Sequence, residues 1–275
     1  MYRHLVILLI SCMVSACTHL LFHPTRSQQI NPEVLGVAYE NVYIKTADNI
    51  LIHGWYLHAE TKPRAKVLFF HGNGENISSH VSMVAWMTRQ GFDVILVDYR
   101  GYGLSQGRTD LKGSIRDVDT TIRYTINEIL TEHEKLFVLG HSLGASLSIA
   151  ALASNDYHGK VNALLSVSAF SDYHDIARDK LSSLWLTWPL QWPLSLTINN
   201  DFSPKMMVAK IAPVNLVIMH AEDDHIVPVY HADVLFEHAN QPKYIEKVAG
   251  DHNQILLQSE NQSLLLHYLN RFIDE

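Results

Sequence analysis

The fold is decided by one stretch of the sequence, Leu136-Phe137-Val138-Leu139-Gly140-His141-Ser142-Leu143-Gly144. Its first four residues are apolar and predict a strand buried on both faces. The small residues that follow, as far as about residue 154, predict a helix. A Gly-x-Ser-x-Gly pattern between a strand and a helix is typical of a nucleophilic serine at a sharp turn. Glycine lacks a Cβ and relieves crowding two positions either side of the serine, so we expect Ser142 to be a nucleophile.

The regions around this stretch alternate between strand and helix patterns. Further apolar runs predict strands at 67–70, 93–97, 161–167, 214–219 and 244–248, with helices near 78–90, 113–132 and 258–273. Two β-rich runs before them, 42–46 and 51–57, predict an antiparallel hairpin. The alternation indicates an α/β fold with a mostly parallel, doubly wound sheet.

A serine hydroxyl needs a base within hydrogen-bond reach and an acid that orients the base. In the strand-turn-helix class of site these partners follow the serine in the order acid, then histidine. The run 220–228, which contains Glu222, Asp223 and Asp224, follows the predicted strand 214–219. His252 follows the last predicted strand, beside Gly250, and is therefore the predicted general base.

The negative charge that develops on an attacked carbonyl oxygen needs two backbone N–H donors. One is expected from Leu143, the residue after the nucleophile. The other is expected from the loop after the first buried strand, His71-Gly72-Asn73-Gly74-Glu75-Asn76. The glycines of this loop would let its backbone approach a substrate.

Taken together, these motifs resemble the α/β-hydrolase superfamily. The resemblance rests on 71–76, Asp98-Tyr-Arg-Gly-Tyr-Gly-Leu-Ser, 140–144, Asp224-His-Ile-Val-Pro and Gly250-Asp-His-Asn, and it covers roughly 40–275. The motifs look most like membrane-associated α/β-hydrolase-domain proteins with an H-G-N loop and, more broadly, serine aminopeptidase-type hydrolases. The resemblance implies an α/β-hydrolase fold, Asp224 as the acid, and Asn73 in the oxyanion hole with Gly74 as second choice. The family often has H-G where this chain has His220-Ala221.

Residues 171–212 break the strand–helix alternation and predict a small helical cap. Trp185, Trp188 and Trp192 lie in this cap and are expected to form a wall over an acyl pocket, with a membrane-facing belt or cap core as alternatives. The cap also carries acids that an aminopeptidase could use to hold a substrate ammonium group, namely Asp172, Asp175, Asp179 and Asp201. Asp98 and Arg100 are expected to form a structural ion pair or a loop brace.

The N-terminus has the layout of a secretory signal. Arg3 and His4 precede an apolar run at 5–14, and small residues follow it before Cys17. Val14-Ser15-Ala16-Cys17 resembles a bacterial lipobox, with an ordinary signal peptide as the alternative. We therefore predict a signal peptide at 1–16, a lipidated N-terminus and tether at 17–40, and a hydrolase domain at 41–275. Thr18 after the cysteine resembles Gram-negative lipoproteins of the outer membrane, so we expect the protein there, facing the periplasm.

Composition sets broad limits on function. The chain is 47% hydrophobic and 18% charged, which indicates an ordered core, and its net charge of −7 is scattered, unlike a basic nucleic-acid surface. No metal-ligand spacing occurs, and no metal or cofactor is expected. We predict a serine hydrolase that cleaves carboxylic esters, with a small-molecule ester or a lipid as substrate and a lipid anchor in the membrane. The alternatives are an aminopeptidase or amidase, and a non-catalytic binding lipoprotein.

Overall fold

A computed structural model describes residues 22–182, 185 and 187–275. The predicted signal peptide and the predicted lipidation site Cys17 lie outside the described residues. Within the described part of the chain, no helix combines the length and apolar character that crossing a membrane requires.

The centre of the molecule is an eight-stranded sheet. Its strands are β1 (Tyr39–Lys45), β2 (Leu51–Leu57), β3 (Ala65–Phe70), β4 (Phe92–Val97), β5 (Lys135–His141), β6 (Ala163–Val167), β7 (Asn215–Ala221) and β8 (Lys243–Val248). The strand order is β1-β2-β4-β3-β5-β6-β7-β8. Only β1–β2 and β2–β4 pair antiparallel, and every other neighbouring pair is parallel. The predicted α/β-hydrolase fold is therefore confirmed.

The helices lie between the strands. They are α1 (Ile77–His80), α2 (Leu111–Tyr124), α3 (Leu143–Ser154), α4 (Tyr173–Ser182), α5 (Gln191–Ser195), α6 (Pro204–Met207), α7 (Tyr230–His238) and α8 (Ser259–Asp274). Short 3₁₀ turns add Pro32–Leu35, Val81–Met83, Ala85–Gln90, Trp188–Leu190 and Val208–Ile211, and a π turn covers Thr125–Ile129. The helix predicted at 78–90 is wrong as a single element, since only α1 is α-helical and 3₁₀ turns follow it. Serine and β-branched residues in this stretch are weak helix formers.

Alternate residues of the buried strands face opposite layers of the core. Leu68 and Phe70 of β3 belong to a cluster that packs under α2 and α3, whereas Val67 and Phe69 belong to the cluster under α8. Both faces are covered, which explains why these strands read as unbroken apolar runs. The carboxyl ends of the parallel strands are the edge where ligands bind in folds of this type.

The predicted tether is not loose over its described part. Phe22 is 1% exposed and belongs to the apolar core. The segment after it runs along the loop that follows β3, with Gln29 N–H donating to Ser78 Oγ at 2.7 Å. The sequence could not predict this docking, because two prolines and little periodicity are typical both of a loose linker and of an irregular segment that packs on the domain.

Candidate active site

Ser142 lies at the turn between β5 and α3 with φ 54° and ψ −115°, a strained conformation for a non-glycine residue. A Cβ at Gly140 would lie 2.4 Å from the Cα of Ala145, and one at Gly144 would lie 2.0 Å from the carbonyl oxygen of Phe70. Neither position can hold a side chain. The Ser142 N–H donates to the carbonyl of Val167 on β6 at 2.8 Å, which fixes the turn to the sheet. The turn therefore presents Ser142 at the carboxyl edge of the sheet.

The loops after β7 and β8 bring Asp224 and His252 together. Nδ1 of His252 lies 2.6 Å from Oδ2 of Asp224, and both residues are 5% exposed. The other carboxylate oxygen accepts hydrogen bonds from the N–H groups of Ile226 at 2.9 Å and Val227 at 2.7 Å. Burial acts to raise the pKa of Asp224, but the hydrogen bonds from His252 and the two N–H groups outweigh it and lower the pKa. The carboxylate is therefore ionised at neutral pH. The neighbouring Asp223 is exposed.

Four other buried histidines lie at the carboxyl ends of strands or in the loop and helix that follow β3. Burial lowers the pKa of His71 to about 4 and also lowers the pKa values of His80, His141 and His220. Nε2–H of His141 donates to the carbonyl of His252 at 2.8 Å. These neighbours are therefore neutral at pH 7, and they support the loops without adding positive charge.

The loop after β3 crosses beside Ser142. A Cβ at Gly72 would lie 3.4 Å from the Cβ of Ser142 and 3.0 Å from Nδ1 of His141, so glycine allows the close approach. The side-chain oxygen of Asn73 accepts hydrogen bonds from Tyr102 Oη at 2.7 Å and from the Gly74 N–H at 2.9 Å. Leu143 is the first residue of α3, where backbone N–H groups have no acceptor within the helix. The loop and the start of α3 thus meet around Ser142.

Asp98 and Arg100 brace separate parts of the structure. Asp98 accepts a hydrogen bond from the Ile77 N–H at 2.9 Å, and Nε2 of His71 lies 3.4 Å from the same carboxylate. Arg100 instead pairs with Asp117 at 2.7 Å and with Asp48 at 2.9 Å. Of the two expected roles, these contacts fit the loop brace rather than an ion pair between Asp98 and Arg100. Asp98 holds the loop after β3, as a brace would.

One cavity of about 680 Å³ opens onto these groups. The predicted site residues that line it are Ser142, His252, Asn73 and Leu143. Its opposite wall is the cap helix α4, which contributes Ile176, Ala177, Lys180 and Leu181 at the spacing of one helix face. Burial lowers the pKa of Lys180.

The three cap tryptophans do not fit the predicted acyl wall. Trp185, Trp188 and Trp192 are 86%, 59% and 60% exposed, and they are not among the described residues that line the cavity. The guanidinium of Arg178 lies 4.4 Å from the centre of the Trp192 ring. The prediction failed because the cavity is lined by one face of α4, whereas the tryptophans come after that helix. The helical spacing of Ile176, Ala177, Lys180 and Leu181 could have identified the wall.

His23 lines the cavity, a placement that sequence reasoning missed. His23 is far in sequence from the other site residues, and no motif or periodicity connects it with them. Across residues 22–182, 185 and 187–275, no group of three or more His, Cys, Asp or Glu is arranged to hold a metal ion.

Comparisons with known proteins agree with this architecture. The chain is 26% identical over 218 residues to the uncharacterized protein YfhR of Escherichia coli O157:H7, covering 78% of this chain and 73% of YfhR. It is 26% identical over 240 residues to the α/β hydrolase domain-containing protein WAV2 of Arabidopsis thaliana, covering 83% and 77%. The structure of the Pyrococcus furiosus esterase Pf2001 superposes with a TM-score of 0.74 at 21% identity, covering 92% and 98%.

The family model described as serine aminopeptidase, S33, matches residues 61–210. The match spans 150 of 275 residues, more than half of the chain, and contains Ser142. Asp224 and His252 lie beyond its end, so their pairing rests on the geometry of this chain. The chain belongs to the serine aminopeptidase S33 family of hydrolases, within the α/β-hydrolase superfamily.

Proposed function

We propose that this hydrolase cleaves carboxylic esters through an acyl-enzyme on Ser142. The observation that carries the proposal is the 2.6 Å contact between His252 Nδ1 and Asp224, together with the placement of His252 and Ser142 in the lining of one cavity. Engagement of Nδ1 by Asp224 leaves Nε2 of His252 to accept the serine proton. The ionised Asp224 fixes this tautomer and stabilises the imidazolium that forms.

The reaction runs in two halves. Oγ of Ser142 attacks the carbonyl carbon and gives its proton to His252, and His252 passes that proton to the departing alcohol. A water molecule then attacks the acyl group, with His252 again taking a proton, and the carboxylic acid leaves while the serine is regenerated. The backbone N–H groups of Asn73 and Leu143 would hold the negative oxygen in both halves.

The four cap acids are not placed to hold the ammonium group of an aminopeptidase substrate in the cavity. Each of the four cap acids has another partner, and none is among the described lining residues. Asp172 and Asp175 pair with Lys205 at 3.0 and 3.2 Å. Asp179 contacts His231 at 3.1 Å. Asp201 accepts from an asparagine side chain at 3.0 Å. The cap wall of the cavity instead consists of apolar side chains and Lys180, none of which is an acid.

A lipid or other acyl ester at a membrane surface agrees with the start of the described chain. Phe22 lies in the core beside the cavity-lining His23 and follows Cys17 by five positions. An extended chain covers at most about 3.5 Å per residue, so a lipid anchor at Cys17 would hold the cavity-lining His23 within about 21 Å of the anchored residue. Lipidation is tested by Cys17→Ser, which should release the protein from membranes. A mature N-terminus at another residue and without lipid would contradict this part of the proposal.

Labelling by a fluorophosphonate tests the chemistry. We expect rapid labelling of the unmodified protein, loss of labelling in Ser142→Ala, and normal labelling in Ser154→Ala at the far end of the same helix. Ester hydrolysis should fall by roughly 10⁴-fold or more in Ser142→Ala. An unmodified protein that folds but neither labels nor cleaves esters would favour the non-catalytic binding alternative. Faster cleavage of aminoacyl amides than of matched esters would favour the aminopeptidase.

A further inference from the structure

The segment at 22–30, here called the N-terminal strap, runs along the loop that carries Asn73. The His23 N–H donates to Oδ1 of Asn73 at 2.9 Å, and Nδ2 of Asn73 lies 3.2 Å from Nδ1 of His23. Both polar atoms of the asparagine side chain thus meet one strap residue. The Asn73 side chain cannot turn without breaking these contacts.

Further contacts tie the strap to the rest of this loop. Thr25 Oγ1 donates to the carbonyl of Gly74 at 2.7 Å. Nδ2 of Asn76 donates to the carbonyls of Thr25 at 3.0 Å and Ser27 at 2.8 Å. Phe22 anchors the start of the strap in the core. The loop is therefore held on its inner side by Asp98, through Ile77, and on its outer side by the strap.

The geometry of Gly74 shows why such a support matters. Gly74 has a φ of 87° and open space around its Cβ position, so its own conformation does little to restrict the loop. An oxyanion donor works only when its N–H already points to the place where charge develops. External hydrogen bonds to Asn73 and to the Gly74 carbonyl would supply that orientation.

We infer that the N-terminal strap positions the oxyanion loop, with His23 and Thr25 acting through Asn73 and Gly74. The inference rests on the proposed function, because it assigns the Asn73 N–H to the oxyanion hole. His23 and Thr25 are positioning residues in it, and they take no proton and form no bond with the substrate. The strap thus supports the geometry of the site, in addition to any role in connecting the domain to an anchor.

The test separates positioning from simple stability. In His23→Ala, kcat for a short soluble ester such as p-nitrophenyl acetate should fall about tenfold, less than the 10²–10³ expected when a donor is removed altogether. KM and Tm should stay unchanged. Affinity for an alkyl boronic acid, which forms a tetrahedral adduct on the serine, should fall by the same factor as kcat. His23→Asn, whose amide oxygen can accept from Asn73 Nδ2, should recover most of the rate.

Two variants complete the test. Thr25→Val keeps the side-chain shape, removes the hydrogen bond to Gly74, and should lower kcat in the same way. His267→Ala removes an exposed histidine from α8, far from the loop, and should have no effect. An active parent enzyme whose kcat and boronate affinity are unchanged in both strap variants would overturn the inference. A fall in Tm with a matching rise in KM would overturn it as well. An inactive, unlabelled parent enzyme would instead contradict the proposed function.

Discussion

The two walls of the cavity are built by different means. The sheet-edge wall consists of loops after β3, β5, β7 and β8, and short hydrogen bonds hold it, such as the 2.6 Å contact of His252 with Asp224. The cap wall comes from α4 and offers apolar side chains, among them Ile176 and Leu181. Proton transfer needs directional contacts held to a fraction of an ångström. Binding an acyl chain needs only buried apolar area, so the cap wall can vary without disturbing the chemistry.

The strongest test of the sheet-edge wall is to replace Asp224, the residue predicted to be its catalytic acid. Asp224→Asn should lower kcat by roughly 10⁴-fold, because an amide at this position favours the wrong tautomer of His252. Asp223→Asn is the matched control and should change kcat little, since that side chain is exposed. The comparison is made on kcat for one soluble ester. A larger loss of kcat in Asp223→Asn than in Asp224→Asn would show that Asp223 is the acid.

The cap wall should control the preference for acyl length. Each buried CH₂ contributes about 0.8 kcal/mol, or roughly fourfold in kcat/KM, so longer acyl esters should react faster until the cavity is full. Leu181→Ala should remove roughly tenfold of that gain for longer esters and spare acetate. Ile176→Val should cause a smaller loss in the same direction. The measurement is kcat/KM across a series of p-nitrophenyl esters.

Trp188→Ala is the control for this series, because Trp188 is exposed and lies outside the described cavity lining. We expect its length profile to match that of the parent enzyme. A flattened profile in Trp188→Ala, with Leu181→Ala unaffected, would restore the tryptophans as the acyl wall. Equal losses for acetate and longer esters in Leu181→Ala would show that the cap supports the sheet-edge wall itself.

Lowering the pH should decrease the stability of the folded protein, because of the buried histidines at the sheet-edge wall. Burial lowers the folded-state pKa values of His71, His80, His141 and His220, in the case of His71 to about 4. As the pH falls below about 6.5, the unfolded chain takes up these protons before the folded protein does. The free energy of unfolding should therefore decrease between pH 6.5 and 4.

The substitution His220→Gln tests this pH dependence, which is the smallest of the expected effects. Nε2–H of His220 donates to the carbonyl of Val227 at 2.8 Å, and a glutamine amide can replace that donor. The variant should show a shallower dependence of stability on pH, by up to about one proton, or roughly 1.4 kcal/mol per pH unit. His267→Gln, an exposed change, should leave the slope unaltered. Denaturant unfolding at a series of pH values measures both slopes, and equal slopes in the parent and His220→Gln would contradict the assignment.

The sequence by itself determined the elements whose signal is local. The buried strand before Gly140 and the glycines on both sides of Ser142 predict the turn, because any Cβ at these two positions would collide with nearby backbone. His252 could be predicted because it follows the last strand, and parallel strands bring their carboxyl ends to one edge. The motif resemblance narrowed the predicted acid to Asp224. The predictions of the turn and of His252 needed only spacing, chirality and strand order, whereas the choice of Asp224 needed the resemblance.

Only the tertiary structure decided which residues meet across long sequence distances. His23 and Asn73 are 50 positions apart, and no periodicity or motif in the sequence connects them. Arg100 pairs with Asp117 and Asp48 instead of nearby Asp98, because the backbone directs the neighbouring side chains to different elements. The cap tryptophans are apolar, yet burial depends on which helix face packs over the cavity, and that face belongs to α4. Hydrophobicity is not directional, so the packing alone determined which apolar residues form the wall.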